Sequence, residues 1–235
     1  MKTPIRLILL LLLPPMIAVG QVTPIVGYVN YQVPEGASLI SNPLFNDQGN
    51  DIGLLFGIVP DGTTIRRWDP SVNQFSLPSI YAGGHWSFDM VLAPGDGALI
   101  STPTGFMNTF VGRVLGLDAF GNFTPRTPPA DGVYLLGSIT PYAASTFYQV
   151  VGRDPREGES VTQLDAATGT YHTTTYRSGT WDAGDPTLGL SQAAFYNLGP
   201  VALAVPEPSV WALLALGVVL TAAVRWRLPR RAVRS

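Results

Sequence analysis

Three tryptophans, Trp68, Trp86 and Trp181, are the residues of this 235-residue chain best suited to bind a ligand through their side chains. An indole ring offers a flat apolar face on which a sugar ring can stack, so the three form a candidate carbohydrate-binding surface. Two of them recur in one local pattern, Gly84-His85-Trp86 and Gly179-Thr180-Trp181, which is typical of core or inter-sheet packing. Packing is the favoured interpretation, and solvent exposure of the rings distinguishes the two.

Carboxylates in two segments are the candidates for a Ca²⁺ site, because this ion takes several oxygen ligands. Asp154, Glu157 and Glu159 lie in one segment, and Asn50-Asp51 lies in the other. Neither group has the spacing of a calcium-binding loop, so the sequence predicts solvated charges in turns and no metal site.

Catalysis by imidazole would have to use His85 or His172, the two histidines of the chain. No Gly-x-Ser-x-Gly segment supplies an activated serine, and the absence of Cys excludes a thiol nucleophile and thiolate zinc ligands. No pair of carboxylates lies in a context that marks glycoside hydrolysis. We therefore predict no catalytic residues, no cofactor and a non-enzymatic function.

The charge of the central part of the chain is masked by its ends. Between Gln21 and Val205 there are 7 arginines and 15 acidic residues, a net charge of −8, whereas the whole chain carries −2. Nucleic-acid binding needs clustered basic side chains, so an acidic central part excludes nucleic acid as an expected partner. A net negative charge suits a solvated, secreted surface.

An internal repeat with a period of 96 residues indicates which elements position the tryptophans. The register holds from Gly36 to Ile100, with a slip of one residue at Trp86. Aligned segments include Gly36–Ile40 with Gly132–Leu136, Ile65 with Val161, Asp69 with Asp165, Phe75 with Tyr171, and Ala98–Ile100 with Ala194–Tyr196.

Each copy of the repeat predicts a β-hairpin with a five-residue loop, at Asp69–Asn73 and Asp165–Gly169. An Asp that opens the loop supplies a side-chain acceptor, and an Asn or Gly that closes it tolerates positive φ. Asn50–Phe56 and Ser145–Val151 each begin with a helix-capping type of residue, which favours a short helix. The predicted fold class is all-β: two diverged copies of a hairpin-rich unit, sandwich-like or barrel-like, with short helices.

The N-terminal residues are typical of a signal peptide. Lys2 and Arg6 precede the apolar run Leu7–Leu13, and Ala18-Val19-Gly20 places small residues at the −3 and −1 positions of a cleavage site before Gln21. The apolar run is too short to span a bilayer, so we expect signal peptidase to remove residues 1–20.

The C-terminal residues are typical of a membrane anchor. Pro206-Glu207-Pro208 precedes an uncharged apolar run, Val210–Val224, which we predict to be a transmembrane helix. A group of five arginines follows it, and basic residues stay on the cytoplasmic side of a membrane. These arginines are Arg225, Arg227, Arg230, Arg231 and Arg234.

The tail motif, apolar span and arginine group together resemble the PEP-CTERM sorting signal, which exosortases recognise in Gram-negative bacteria that make exopolysaccharide or biofilm matrix. The resemblance implies an inner-membrane-anchored precursor, cleavage near the motif, and transfer to the cell surface or extracellular matrix. A succession of four segments resembles secreted repeat modules found beside such tails: Leu39–Leu44, Pro60–Thr63, Gly84–Trp86 and Pro94–Gly97. The second copy lacks the last of them and has Leu190–Ala193 there.

The predicted organisation is a signal peptide (1–20), a first β repeat (21–116), a second β repeat (117–204) and a sorting tail (205–235) whose helix spans 210–224. The leading hypothesis is a structural or adhesive protein of the cell surface or matrix. The alternative is a secreted module that binds exopolysaccharide. A secreted hydrolase is the least favoured reading.

Overall fold

The computed structural model describes residues 24–118 and 120–199, and within them the chain is built mostly of β-strands with two short helices. The prediction of an all-β fold is confirmed. The strands are β1 Val26–Val33, β2 Gly36–Ser41, β3 Thr64–Asp69, β4 Gln74–Phe75, β5 Ser79–Ala82, β6 His85–Trp86, β7 Gly97–Thr102, β8 Phe106–Arg113, β9 Gly132–Gly137, β10 Ser145–Thr146, β11 Ser160–Asp165, β12 Thr170–Arg177, β13 Thr180–Trp181, β14 Thr187–Leu188 and β15 Ala193–Leu198; the helices are α1 Ile52–Phe56 and α2 Phe147–Val151.

Two antiparallel sheets have the same strand order. The first sheet runs β2-β7-β3-β5-β6, with β4 paired to β3, and the second runs β9-β15-β11-β12-β13. Strands in matching places begin 96 residues apart, as β2 and β9 do, or 95 apart, as β6 and β13 do. Two smaller pairs, β1 with β8 and β10 with β14, complete the described strands.

The sheets differ where the first one contains a proline. The second sheet has one continuous strand, β12, whereas the matching chain in the first sheet is divided into β4 and β5. Pro78 lies between these two strands and has no backbone N–H to donate to the ladder, so pairing stops there.

Both predicted hairpin loops have the expected chemistry. The Asp69 carboxylate accepts a hydrogen bond from the Ser71 N–H at 2.9 Å, and Asp165 accepts one from the Ala167 N–H at 2.9 Å. Asn73 and Gly169 close the loops with φ of 51° and 69°. Hydrogen bonds to Ser71 and Thr168, respectively, hold the pKa of Asp69 and Asp165 below the usual range.

Both short helices form in the predicted segments. Helix α2 begins with a reciprocal cap: the Thr146 side chain accepts from the Gln149 N–H, and the Gln149 side chain accepts from the Thr146 N–H at 2.9 Å. Helix α1 follows Asp51, whose side chain makes no capping hydrogen bond. In α2, the capping residue is Thr146, one position after the expected Ser145.

Alternation along the strands gives each sheet two apolar faces. On β2, Ile40 belongs to a cluster that joins the first sheet to α1 and to the β1–β8 pair. The neighbouring Leu39 belongs instead to a cluster shared by the two sheets. A separate cluster joins the second sheet to α2. The two sheets therefore pack against each other through one face and against helices through the other.

The contact between the sheets is reciprocal. The Ser41 N–H donates to the Ser191 carbonyl at 2.8 Å, and the Gly137 N–H donates to the Gly95 carbonyl at 3.0 Å. Ser41 precedes Gly137 by 96 residues, as Gly95 precedes Ser191, so the two bonds occupy matching places. The pairing of Ile40 with Gln192 and of Asp96 with Leu136 repeats the pattern. Such contacts are typical of an interface with approximate two-fold symmetry.

Candidate functional site

Trp68 lies in the cluster between the two sheets and is half-buried. Its indole Nε1–H donates to the Val133 carbonyl at 2.8 Å. The ring meets Phe75 and Phe195 edge to face, with centroids 5.1 and 4.9 Å away. Trp68 therefore joins the sheets, and the candidate surface of three exposed tryptophans is not formed.

Trp86 and Trp181 occupy matching places in the two sheets, on β6 and β13. Each pairs across two strands with a tyrosine, Tyr81 and Tyr176 respectively. The geometry is the same in both pairs, with ring centroids 5.3 Å apart and planes at 67°. Both tryptophans are half-buried, so each has a packed edge and an exposed part.

Each of these tryptophans lines a shallow cleft between a helix and a short hairpin. The first aromatic cleft, of about 310 Å³, is lined by Tyr81, His85, Trp86 and Asp89 together with glycines of and beside α1. The second aromatic cleft, of about 330 Å³, lies between α2 and the β12–β13 hairpin. It is lined by Thr146, Phe147, Tyr148, Pro155, Tyr176, Gly179, Thr180, Trp181, Asp185 and Pro186.

Two residues that line the first aromatic cleft carry polar atoms without a hydrogen-bond partner among the described residues. The Tyr81 hydroxyl and the Trp86 Nε1 are buried and have no hydrogen-bond partner among the described residues. Buried polar groups normally find partners, so such atoms next to a cleft are candidates for bonding a ligand hydroxyl. An aromatic wall with free polar groups suits a sugar.

The carboxylate segment Asp154–Glu159 differs from the prediction of solvated turn charges. Glu159 is fully buried, and its side chain accepts from both guanidinium nitrogens of Arg153, one of them at 2.9 Å. It also accepts from the Arg156 N–H at 2.8 Å. The prediction was wrong for Glu159 because a distant strand contact, the Glu159 carbonyl with the Tyr176 N–H, draws this residue inward.

Three of the other residues considered for metal binding and catalysis, Glu157, Asn50 and His172, have local partners. Glu157 accepts from the Ser178 N–H, and the Asn50 amide oxygen accepts from Asn42 and from the Asn46 N–H. His172 contacts Thr170 at 3.2 Å and is exposed. Within residues 24–118 and 120–199, no three His, Cys, Asp or Glu residues are grouped so that they could hold a metal ion.

The predicted signal peptide, the motif Pro206-Glu207-Pro208, the helix 210–224 and the arginines from Arg225 to Arg234 lie outside the described residues. In the part of the chain that is described, neither helix has the length and apolar character needed to cross a bilayer.

The sequence singled out Trp86 and Trp181 but did not indicate the unpaired polar atoms of Tyr81 and Trp86, because burial of these atoms depends on tertiary packing. The recurrence of a tyrosine five residues before each tryptophan was the signal that could have found the paired rings. No known family model, curated protein or solved structure matches this chain.

Proposed function

We propose that this chain is an exported protein that an exosortase processes and that has a structural or adhesive role at the cell surface or in the extracellular matrix. The observation that carries the proposal is the ordered tail of Pro206-Glu207-Pro208, the apolar run Val210–Val224 and the terminal arginines. Signal peptidase and exosortase are then its processing partners, and the inner membrane holds the precursor. No catalytic step and no nucleic acid belong to the proposed role.

The two sheets are, in this proposal, diverged copies of one duplicated unit. The identical strand order and the offset of 95 or 96 residues support it. The reciprocal hydrogen bonds from Ser41 and Gly137 support it further, since unrelated sheets have no reason to make matching contacts. A tandem of packed β units with an acidic surface suits a passive role outside the cell.

Replacing Glu207 by alanine is expected to block cleavage and leave the precursor in the inner membrane, because the change alters the recognition motif and spares the apolar span. The test is intact mass and cell fractionation in an exosortase-containing Gram-negative host. The wild type should lose both the first 20 residues and the tail.

Leu216→Arg is the matched control for membrane insertion. An arginine at the centre of the span costs about 2.5–3.5 kcal/mol of insertion free energy, so this variant should fail to be held as a membrane precursor. Release of Glu207→Ala at the wild-type mass and location would contradict the exosortase proposal.

Carbohydrate binding is the second candidate function, and the two aromatic clefts favour it. We expect Trp181→Ala to weaken binding of a neutral oligosaccharide such as cellopentaose by about tenfold, the loss of ~1.4 kcal/mol of ring contact. Calorimetric titration measures this, with Tyr171→Ala as control, since Tyr171 is an exposed aromatic residue outside both clefts. Equal losses in the two variants, or no binding by the wild type, would remove this candidate.

A further inference from the structure

A third cleft, which we call the charged inter-sheet cleft, opens where the two sheets meet. Its volume is about 330 Å³, and the residues that give it its chemistry are Arg67, Trp68, Asp96, Arg126 and Tyr134. Arg67 and Trp68 lie on β3, Asp96 precedes β7, and Tyr134 lies on β9. Arg126 comes from the segment that connects the two sheets.

The charged groups of this cleft form no ion pairs with one another, although Nη1 of Arg67 donates to the Val91 carbonyl at 3.4 Å. The ion pairs among the described residues join Arg113 to Asp47, Arg153 to Glu159 and Arg156 to Asp131, and none involves Arg67, Asp96 or Arg126. One guanidinium nitrogen of Arg126, Nη1, is buried without a hydrogen-bond partner in the described part of the chain. A buried nitrogen of this kind is costly unless something bonds it.

Asp96 responds to the same surroundings. Burial raises the pKa of its carboxyl group, and the attraction of Arg126 and Arg67 opposes that rise. Burial likewise lowers the pKa of Arg126. The Asp96 carboxyl group thus lies within the influence of both arginines, although no ion pair joins it to either of them.

The matching cleft on the other side of the interface has no such charges at equivalent positions. It has a volume of about 530 Å³ and contains Gln163, Leu164 and Gln192, which lie 96 residues after Arg67, Trp68 and Asp96. At these three positions the interface therefore forms with neutral residues, although the carboxylates of Glu35 and Asp165 line other parts of the same cleft. Packing of the two sheets does not by itself require charged residues at positions 67 and 96.

The charges that line the charged inter-sheet cleft indicate the class of ligand that would bind there. Two guanidinium groups and one carboxylate give a net charge of +1, which favours an anion over a zwitterion or a cation. Guanidinium groups bind carboxylates through paired N–H donors, whereas the Asp96 carboxylate accepts from hydroxyl groups. The rings of Trp68 and Tyr134 provide an apolar wall, and ~330 Å³ is near the lower end of small-ligand pockets, about 300–1,000 Å³.

We propose that the charged inter-sheet cleft binds one acidic sugar residue, with its carboxylate at Arg67 and Arg126 and a hydroxyl group at Asp96. This site is separate from the two aromatic clefts. It does not depend on how the chain is exported or processed.

The test is calorimetric titration of the full chain in a polyoxyethylene detergent, which carries no sugar, with glucuronate, glucose and acetate as separate probes. Wild-type protein should bind glucuronate at least about tenfold more tightly than either glucose or acetate. Arg67→Gln, which installs the residue found at Gln163, should weaken glucuronate binding by about tenfold or more. Because Arg67 is exposed, the melting temperature of the Arg67→Gln variant should stay close to that of the wild type.

Gln163→Ala in the matching cleft is the control, and it should bind glucuronate as the wild type does. Equal affinity of the wild type for glucuronate and glucose would overturn the proposal without reference to any variant. Equal affinity for glucuronate and acetate would show a bare carboxylate site and overturn the sugar assignment. Undiminished binding by Arg67→Gln would place the ligand elsewhere.

Discussion

Replacing Glu159 by glutamine is expected to lower the free energy of unfolding by about 3–5 kcal/mol, the usual cost of removing one partner from a buried ion pair. The Glu159 side chain is fully buried and that of Arg153 is only 16 % exposed. Glutamine keeps the size of the side chain but removes the charge, so the Arg153 guanidinium stays in the interior without compensation. Chemical unfolding in urea measures the loss.

Asp131→Asn is the control for this change because it removes one carboxylate charge from an exposed pair. Asp131 lies 3.4 Å from Arg156, and the two side chains are 55 % and 62 % exposed. We expect a change of about 0–1 kcal/mol. If Glu159→Gln costs no more than Asp131→Asn, the buried pair does not stabilise the fold as we argue.

Gly137→Ser is expected to destabilise the protein by about 3 kcal/mol, because the interface between the sheets leaves no room for a side chain there. A Cβ atom at Gly137 would lie 2.7 Å from the Gln192 carbonyl oxygen and would overlap the Ser41 side chain. For a chain of this size the melting temperature should fall by about 6–12 °C. Serine is the informative substitution because Ser41 occupies the matching place in the first sheet, where the fold accommodates a serine side chain.

Gly27→Ser makes the same chemical change where there is room. Gly27 lies on β1, and a Cβ atom there would be 3.8 Å from its nearest neighbour, a side-chain carbon of Val114. We expect its melting temperature to stay close to that of the wild type. Similar losses in Gly27→Ser and Gly137→Ser would mean that the effect belongs to glycine replacement in general and not to the interface.

Local features of the fold followed from the sequence. The hairpin loops at Asp69 and Asp165 were predictable because the side-chain acceptor and the residue that takes positive φ lie within five positions of each other. The helix that ends at Val151 was predictable because a capping residue bonds to backbone groups within one turn of itself. Trp86 and Trp181 could be paired for a similar reason, since their surroundings recur along the chain.

Contacts between distant residues did not follow. The Ser41 hydroxyl donates to the Gln192 carbonyl, which lies 151 residues later, and no local pattern signals that approach. The same holds for Trp68, which the sequence offered as a candidate for an exposed surface. In the structure it contacts Val133 and Phe195, both more than 60 positions away. Arg126 is a single arginine in a connecting segment, and no local pattern marks it as a site residue because its role depends on the distant Asp96 and Arg67.

The shared cluster between the sheets has a consequence for how long the molecule survives among proteases. Proteases cut segments that open, and in many tandem proteins one unit opens while its neighbour stays folded. Here, separation of the sheets would expose Leu39 and Leu135 together and would break the bonds at Ser41 and Gly137 at once. Each sheet forms part of the other's interior, so a state in which only one sheet is unfolded should be little more stable than the fully unfolded chain. Unfolding of the whole molecule should therefore set the rate at which proteases cut it.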